Sequence, residues 1–375
     1  MPRAPLASAL IAIAAVNLAV GVWLSAQPDR LADFTTVSDW VRLWLSGRNV
    51  YAPPSGVDYP PWALVLLSPL GVIPVEVRAP LWIALNTALA VTLAVHLARL
   101  TGEPKSFHVR LAALFLTAAA FRTLNQFSLM SLTIALAGAT IHWRFLGGLI
   151  LGVGLMKPQI GGPVALWVLL SGDPRRFLVA LAVPLILTMF YAEPLGTTAV
   201  TVLVDYARAL QIYVSSTTFT GHTEIKPWLL AIWPGAPAGF WLLGGLIVVL
   251  LSPALAAIAR RRRPLDRDLE LLAFCGLVSL LAMRHLTYDL VLVLPVLAAW
   301  RPPPLGSDPR PRWMTVMVVV AAAWLVLDFS GIGRRVLQPI APAVLTAVAI
   351  QMDRILCLTL WGVLGWRLWT RAGPS

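Results

Sequence analysis

The sequence predicts an all-α polytopic membrane protein, and three observations carry that expectation. Of the 375 residues, 58% are hydrophobic and only 12% are charged, against about 25% charged in soluble domains. The mean hydropathy is +0.79. Many apolar stretches approach or exceed the roughly 18–20 residues that a spanning helix requires. Their apolarity is continuous rather than alternating, so the spanning elements are helices and not barrel strands.

The apolar spans fall near 6–26, 79–98, 109–121, 128–142, 145–156, 159–170, 177–191, 239–259, 269–283, 288–300, 313–327 and 337–370. The last holds one helix or two. Together they predict about 12 transmembrane helices in a single integral membrane domain, 1–375, with no soluble domain. The first run is too long for a signal-peptide core and lacks a small-residue cleavage site, so it reads as a retained helix. The longest polar interruptions are 27–59 and 192–237. Cys275 and Cys357 lie inside apolar runs and read as core thiols rather than a disulfide framework.

The net charge of +12 does not point to nucleic acid, because the basic residues sit in short loops between apolar runs. That distribution encodes topology. Arg99, Lys105 and Arg110, the pair Arg175–Arg176, the run Arg260–Arg263, and Arg301, Arg310 and Arg312 all read as cytoplasmic, with Arg3 joining them. Segment 27–59 is then an outer loop, span 79–98 runs inward, and 192–237 is a second outer loop. Pro60–Pro74, apolar but short and bounded by prolines, becomes a re-entrant or interfacial helix on the outer face.

Arg144 before 145–170 and Arg175–Arg176 after it place both ends on the cytoplasmic side. Two helices of about 12 residues, about 18 Å each, do not cross a core of about 30 Å. The break falls at Lys157-Pro158-Gln159, since Pro158 does not continue a helix cleanly. Non-helical backbone at that depth is tolerated where it lines a cavity. Four polar elements then gather on the outer side: the Asp33 loop, Phe121–Ser128, the Lys157 break and Arg284–Asp289.

Each candidate carries a bland reading beside a functional one. Asp33 is either a helix N-cap or loop charge, or a carboxylate that takes a proton from a sugar hydroxyl. Asp39, in an amphipathic helix Val37–Leu45, pairs with Arg42 three residues on. Asp58 shapes a turn before Tyr59-Pro60-Pro61. Lys157 is either a snorkelling cation or an intramembrane cation awaiting an anion. No carboxylate lies within one helical turn of it, so a ligand phosphate is the expected partner. Arg284 and His285 form a loop charge pair or an anion clamp. Asp289 reads as structural, either a first-turn acid or a partner for Arg284. Arg122, Asn125 and Gln126 cap two helices or bind sugar hydroxyls or phosphate. His222 and Lys226 carry only a weak signal. The five histidines are scattered, and Asp33 lacks the two-residue acidic pairing of a metal-binding motif, so no metal site is expected. No Gly-rich phosphate loop is present either.

Taken in order, these residues resemble glycosyltransferase family 87. Asp33-Phe34, Leu45-Ser46-Gly47, Asn49-Val50-Tyr51, Tyr59-Pro60-Pro61 and Ser68-Pro69-Leu70-Gly71 with Pro74 resemble the family's opening. Asn125-Gln126 before Ser128-Leu129 is similar to its NGQ-type segment, with Phe127 in place of the glycine. Lys157-Pro158-Gln159 is similar to its KPQ segment, and Tyr288-Asp289-Leu290 before Leu294-Pro295 to its late motif. The resemblance implies a GT-C type fold and a mannosyltransferase that uses a polyprenyl-phosphate sugar. Asp33 would be the catalytic aspartate. Tyr59, Arg122, Asn125, Gln126, Lys157, Gln159, Arg284, His285 and Tyr288 would bind substrate. No cofactor is implied, because the lipid-linked sugar donor serves as cosubstrate. The partners would be membrane lipids, that donor, and a lipid or glycan acceptor. The site would lie on the outer, periplasmic side of the cytoplasmic membrane. A transporter or flippase of an anionic lipid-linked substrate is the competing reading, because it too needs broken helices and buried cations. Against it, the sequence shows no internal repeat.

Overall fold

The computed structural model describes residues 4–27, 32–52, 57–102, 109, 111–113, 127–215, 223–233, 239–261, 264–265, 268–283, 285, 287–299, 312–327 and 342–371. The regular elements among them are all helical. In chain order these are α1 (Ala4–Ser25), α2 (Ala32–Leu45), α3 (Pro61–Leu66), α4 (Pro69–Val72), α5 (Val75–Leu100), α6 (Phe127–Thr140), α7 (Arg144–Gly154) and α8 (Pro158–Leu170). There follow α9 (Pro174–Ala192), α10 (Ala199–Ser215), α11 (Lys226–Ile232), α12 (Phe240–Arg261), α13 (Leu269–Ala282), α14 (Leu294–Ala299), α15 (Arg312–Leu327) and α16 (Pro342–Arg371). Short 3-10 turns cover Glu193–Leu195 and Thr287–Val293.

Among the described residues, Glu76–Leu100, Pro174–Leu195 and Phe240–Arg261 are long and apolar enough to cross a membrane by length and composition. Shorter apolar helices accompany them, including Phe127–Thr140, Pro158–Leu170 and Leu269–Ala282. The outward faces are apolar as well: Val16 and Trp23 on α1, Leu185 and Met189 on α9, and Val248 and Val249 on α12 are exposed. Hydrocarbon is the solvent in which such faces cost nothing. Pro80, Pro184 and Pro253 lie inside helices, as spanning helices allow when neighbours satisfy the freed carbonyls.

The core is built on α13 and α6. Every residue of α13 from Leu269 to Ala282 is buried, as expected of a helix that is apolar all round. It packs against α8, α12, α14 and α16. Helix α7 fits between α6 and α9 because its contacts are glycine. A Cβ at Gly154 would lie 2.6 Å from the Ala135 nitrogen of α6, and one at Gly152 would lie 2.6 Å from Val183 of α9. Gly148 and Gly152, four apart, form the small-residue stripe that lets membrane helices approach closely.

Polar side chains close the ends of this bundle. Asp173 caps α9 by accepting from the Arg176 amide and pairs with the Arg176 guanidinium at 3.2 Å. Arg176 in turn donates to the Gly138 and Ala139 carbonyls at the end of α6. At the other repeat of this device, Asp268 caps α13, and Glu270 pairs with Arg367 of α16 at 2.7 Å. Helix α2 is amphipathic: Phe34, Val37, Ser38, Val41 and Trp44 are buried, while Asp39 and Arg42 form the expected exposed pair at 3.7 Å. Gly71 of α4 admits α2, since a Cβ there would meet Val41 and Leu45 within 2.9 Å.

Several expected boundaries move. The helix expected over Val37–Leu45 begins at Ala32, so Asp33 stands in the first turn of a helix rather than in a loop. Pro60–Pro74 is two short helices, broken where Pro69 restarts the chain. The polar interruption 192–237 is largely helical in its described part, because α10 has an amphipathic pattern that simple hydropathy misses. Span 288–300 is a 3-10 turn followed by α14, because Pro295 has no N–H for the carbonyl four residues back and its ring clashes with it, so α geometry cannot run through from the turn. The C-terminal span is one helix of 30 residues.

The glycine packing makes a prediction. Gly152→Leu overpacks the α7–α9 contact and should cost about 1–3 kcal/mol or more. Gly162→Ala, which meets no atom within 4 Å, should leave stability unchanged or raise it by up to about 1 kcal/mol. Thermal melts of the purified variants check this, and equal melting points would contradict the close approach.

Candidate functional site

The site begins at the break between α7 and α8. Pro158 has no N–H and biases the preceding residue towards extended backbone; Lys157 accordingly has φ −123° and ψ 90°. A break buried in an apolar bundle must satisfy the carbonyls it frees. Trp62 Nε1 donates to the Leu155 carbonyl at 2.9 Å. Ser131 Oγ, on α6, donates to the Gly154 carbonyl at 2.6 Å and approaches that of Lys157 at 3.3 Å. The break is therefore a fixed turn, held from two sides.

Lys157 points from this turn into a buried polar centre. Its Nζ lies 2.9 Å from Asp289 Oδ1 and donates to Ser128 Oγ at 2.7 Å. Ser128 Oγ donates to the same Asp289 oxygen at 2.6 Å. The other carboxylate oxygen faces His285 Nδ1 at 3.2 Å. His285 Nε2 lies 3.1 Å from both the Oγ and the carbonyl oxygen of Ser279. Ser279 Oγ donates to the Gln159 carbonyl at 2.7 Å, which returns the network to the break. Lys157 is 4% exposed and Asp289 2%. Charges so placed persist only when paired and hydrogen-bonded, because desolvation costs each several kcal/mol.

An aromatic cluster joins this centre to α2. Phe34 packs on Trp82 at 5.1 Å between ring centroids, Trp82 on Phe127 at 4.5 Å, and Phe127 on Tyr59 at 5.3 Å. Phe34 follows Asp33, and Phe127 precedes Ser128. A second group stacks Trp44 on Tyr191 at 5.1 Å and sets Tyr51 against Tyr191 and Tyr206. Hydrogen bonds latch the segment down: Trp44 Nε1 to the Tyr191 carbonyl at 2.9 Å, Asn49 Nδ2 to Asp205 at 2.9 Å, and Tyr51 OH to the Tyr59 carbonyl at 2.8 Å. Burial pushes the Tyr51 phenol well above its ordinary pKa, with Tyr191, Tyr206 and Asp58 adding to the shift. Tyr51 is thus a neutral donor and not a base.

The structure brings together Lys157, His285 and the backbone of Gln159, with Tyr59 in the adjoining aromatic wall. It corrects one expectation: the anion beside Lys157 is a carboxylate of the chain itself. Asp289 lies 132 residues away in sequence, which is why a search within one helical turn misses it. Asp289 also engages His285, while Arg284, the partner the sequence suggested, lies outside the described residues. Arg122, Asn125, Gln126, His222 and Arg284 lie outside the described residues, as do the side chains of Asp33 and Tyr288. The sequence reading missed Ser128, Ser131 and Ser279. Hydroxyls at i and i+3 in a span expected to be apolar were the available signal for the first two.

The pairing changes what a substitution should do. Lys157→Met leaves the Asp289 carboxylate buried without its cation, a change that typically costs about 3–5 kcal/mol. The purified variant should melt well below the parent. Adding Asp289→Asn should recover a large part of the loss. A single variant as stable as the parent would show that the ion pair does not hold the break.

Neither a curated protein nor a solved structure matches the chain. The family model for glycosyltransferase family 87 matches residues 58–295, a stretch that contains Trp62, the break at Lys157, the Ser279–His285 contact and Asp289. With well over half of its length inside that match, the chain belongs to glycosyltransferase family 87.

Proposed function

We propose that this membrane glycosyltransferase moves a hexose, with mannose the expected sugar, from a polyprenyl-phosphate donor to a lipid or glycan acceptor. The reaction takes place at the outer face of the cytoplasmic membrane, by inverting and metal-independent chemistry. The observation that carries the reading is the Lys157–Asp289–His285 centre, joined through Phe127 and Trp82 to the helix turn that bears Asp33.

In this reading the acceptor hydroxyl oxygen attacks the anomeric carbon from the face opposite the phosphate. The bond from that carbon to the phosphate oxygen breaks, and the polyprenyl phosphate leaves with the electron pair. Asp33 takes the hydroxyl proton as general base. The first turn of α2 is fixed by Phe34, which holds the Asp33 backbone in one place relative to the centre. Lys157, held by Asp289, supplies a preorganised field for the charge developing on the phosphate, and His285 fixes the other oxygen of the Asp289 carboxylate. Family membership favours this chemistry over lipid transport.

Asp33→Asn keeps the shape of the side chain and removes the base, so transfer should fall about 10²–10⁴-fold with the melting point unchanged. Asp39→Asn, which removes only an exposed pair with Arg42, and Asp58→Asn should cost far less. Glycosyl transfer by the three purified variants decides it. Near-normal turnover by a folded Asp33→Asn protein would remove the catalytic assignment.

A further inference from the structure

A cavity of about 320 Å³ opens between α3, α4, α5, α6 and the end of α7. This size sits at the low end for small-molecule sites. Its walls are apolar, formed among others by Leu70, Leu81, Trp82, Ile134 and Met156, with Arg78 as the charged residue in the lining. Arg78 is 5% exposed. Its Nε donates to the Ile73 carbonyl, which fixes the plane of the guanidinium. The two Nη amines have no acceptor among the described residues. An always-charged fork with unused donors beside an apolar void lacks an anion. Lys157, by contrast, already has Asp289.

The cavity's lining residues adjoin the centre described above along the chain. Met156 precedes Lys157, and Met130 lies two residues after Ser128. Trp82, one turn after Arg78 on the same face of α5, packs on Phe34, the neighbour of Asp33. We propose that this cavity is the lipid subsite: the prenyl chain nearest the phosphate lies in it, and Arg78 binds the phosphate directly. The inference rests on the donor being a prenyl phosphate. It assigns the direct phosphate contact to Arg78 and leaves Lys157 acting through its field. A guanidinium matches a phosphate by two parallel hydrogen bonds, and the apolar walls select the attached chain over a free anion.

Equilibrium binding of labelled decaprenyl phosphate to the full-length purified protein tests this without requiring transfer. The parent should bind it, with neither inorganic phosphate nor an equal concentration of phosphatidylglycerol displacing it. Arg78→Gln should weaken binding at least about tenfold, the size of a charge-assisted hydrogen bond, and Arg78→Lys should recover part of the loss. Ile134→Trp, which fills the cavity, should weaken binding while leaving the cation in place. Parent-like binding by both Arg78→Gln and Ile134→Trp would overturn the subsite and leave the donor reading intact. Failure of the parent to bind would overturn both. Displacement by phosphatidylglycerol would overturn the assignment to prenyl phosphate and make the cavity a membrane-phospholipid site.

Discussion

The ion pair between Lys157 and Asp289, at 2.9 Å, is the contact on which the arrangement depends. It joins the interruption between α7 and α8 to the 3-10 turn before α14, two irregular pieces of backbone in an otherwise helical bundle. Each piece is irregular because of a proline, Pro158 in one and Pro295 in the other. Neither would hold its geometry alone. Irregular backbone inside a membrane domain survives only where other groups satisfy it, and here the satisfaction is mutual. Ser131 and Trp62 hold the carbonyls of the break, Asp289 holds its lysine, and Ser279 ties Gln159 back to His285.

Such a centre is costly as a source of stability, since both charges are removed from water and an apolar replacement is often no worse. Its presence within a protein dominated by hydrocarbon is better explained by placement. The aromatic chain from Phe127 through Trp82 to Phe34 carries that placement to α2. Phe127 therefore has a defined task. This chain packs a fully buried ring there between Trp82 and Tyr59, and the next residue, Ser128, enters the ion-pair network directly.

Much of this was legible in the sequence where the signal is local. Pro158 beside Lys157 marked the break, the spacing of Asp39 and Arg42 marked a surface pair, and hydropathy placed α1, α5, α12 and α13. What the sequence concealed was non-local or amphipathic. Nothing adjacent to Lys157 announces a carboxylate 132 residues away. Helix α10 was hidden because Asp205, Arg208 and Gln211 interrupt its apolar run. The start of α2 was obscured by Thr35 and Thr36, poor helix formers whose cost tertiary packing through Phe34 and Val37 overrides. Arg78 drew no notice because a single arginine at a helix start reads as a topology signal; only the cavity beside it gives it another meaning.

The family assignment and the geometry together make a chemical claim, and its stereochemistry is its sharpest consequence. Purified protein reconstituted in liposomes with labelled polyprenyl-phosphate mannose and a membrane lipid extract tests it directly. The account predicts that label moves to an acceptor in the extract and that the new linkage has the anomeric configuration opposite to that of the donor. Label that remains on the donor and only crosses the bilayer, or a product that keeps the donor's configuration, would contradict it.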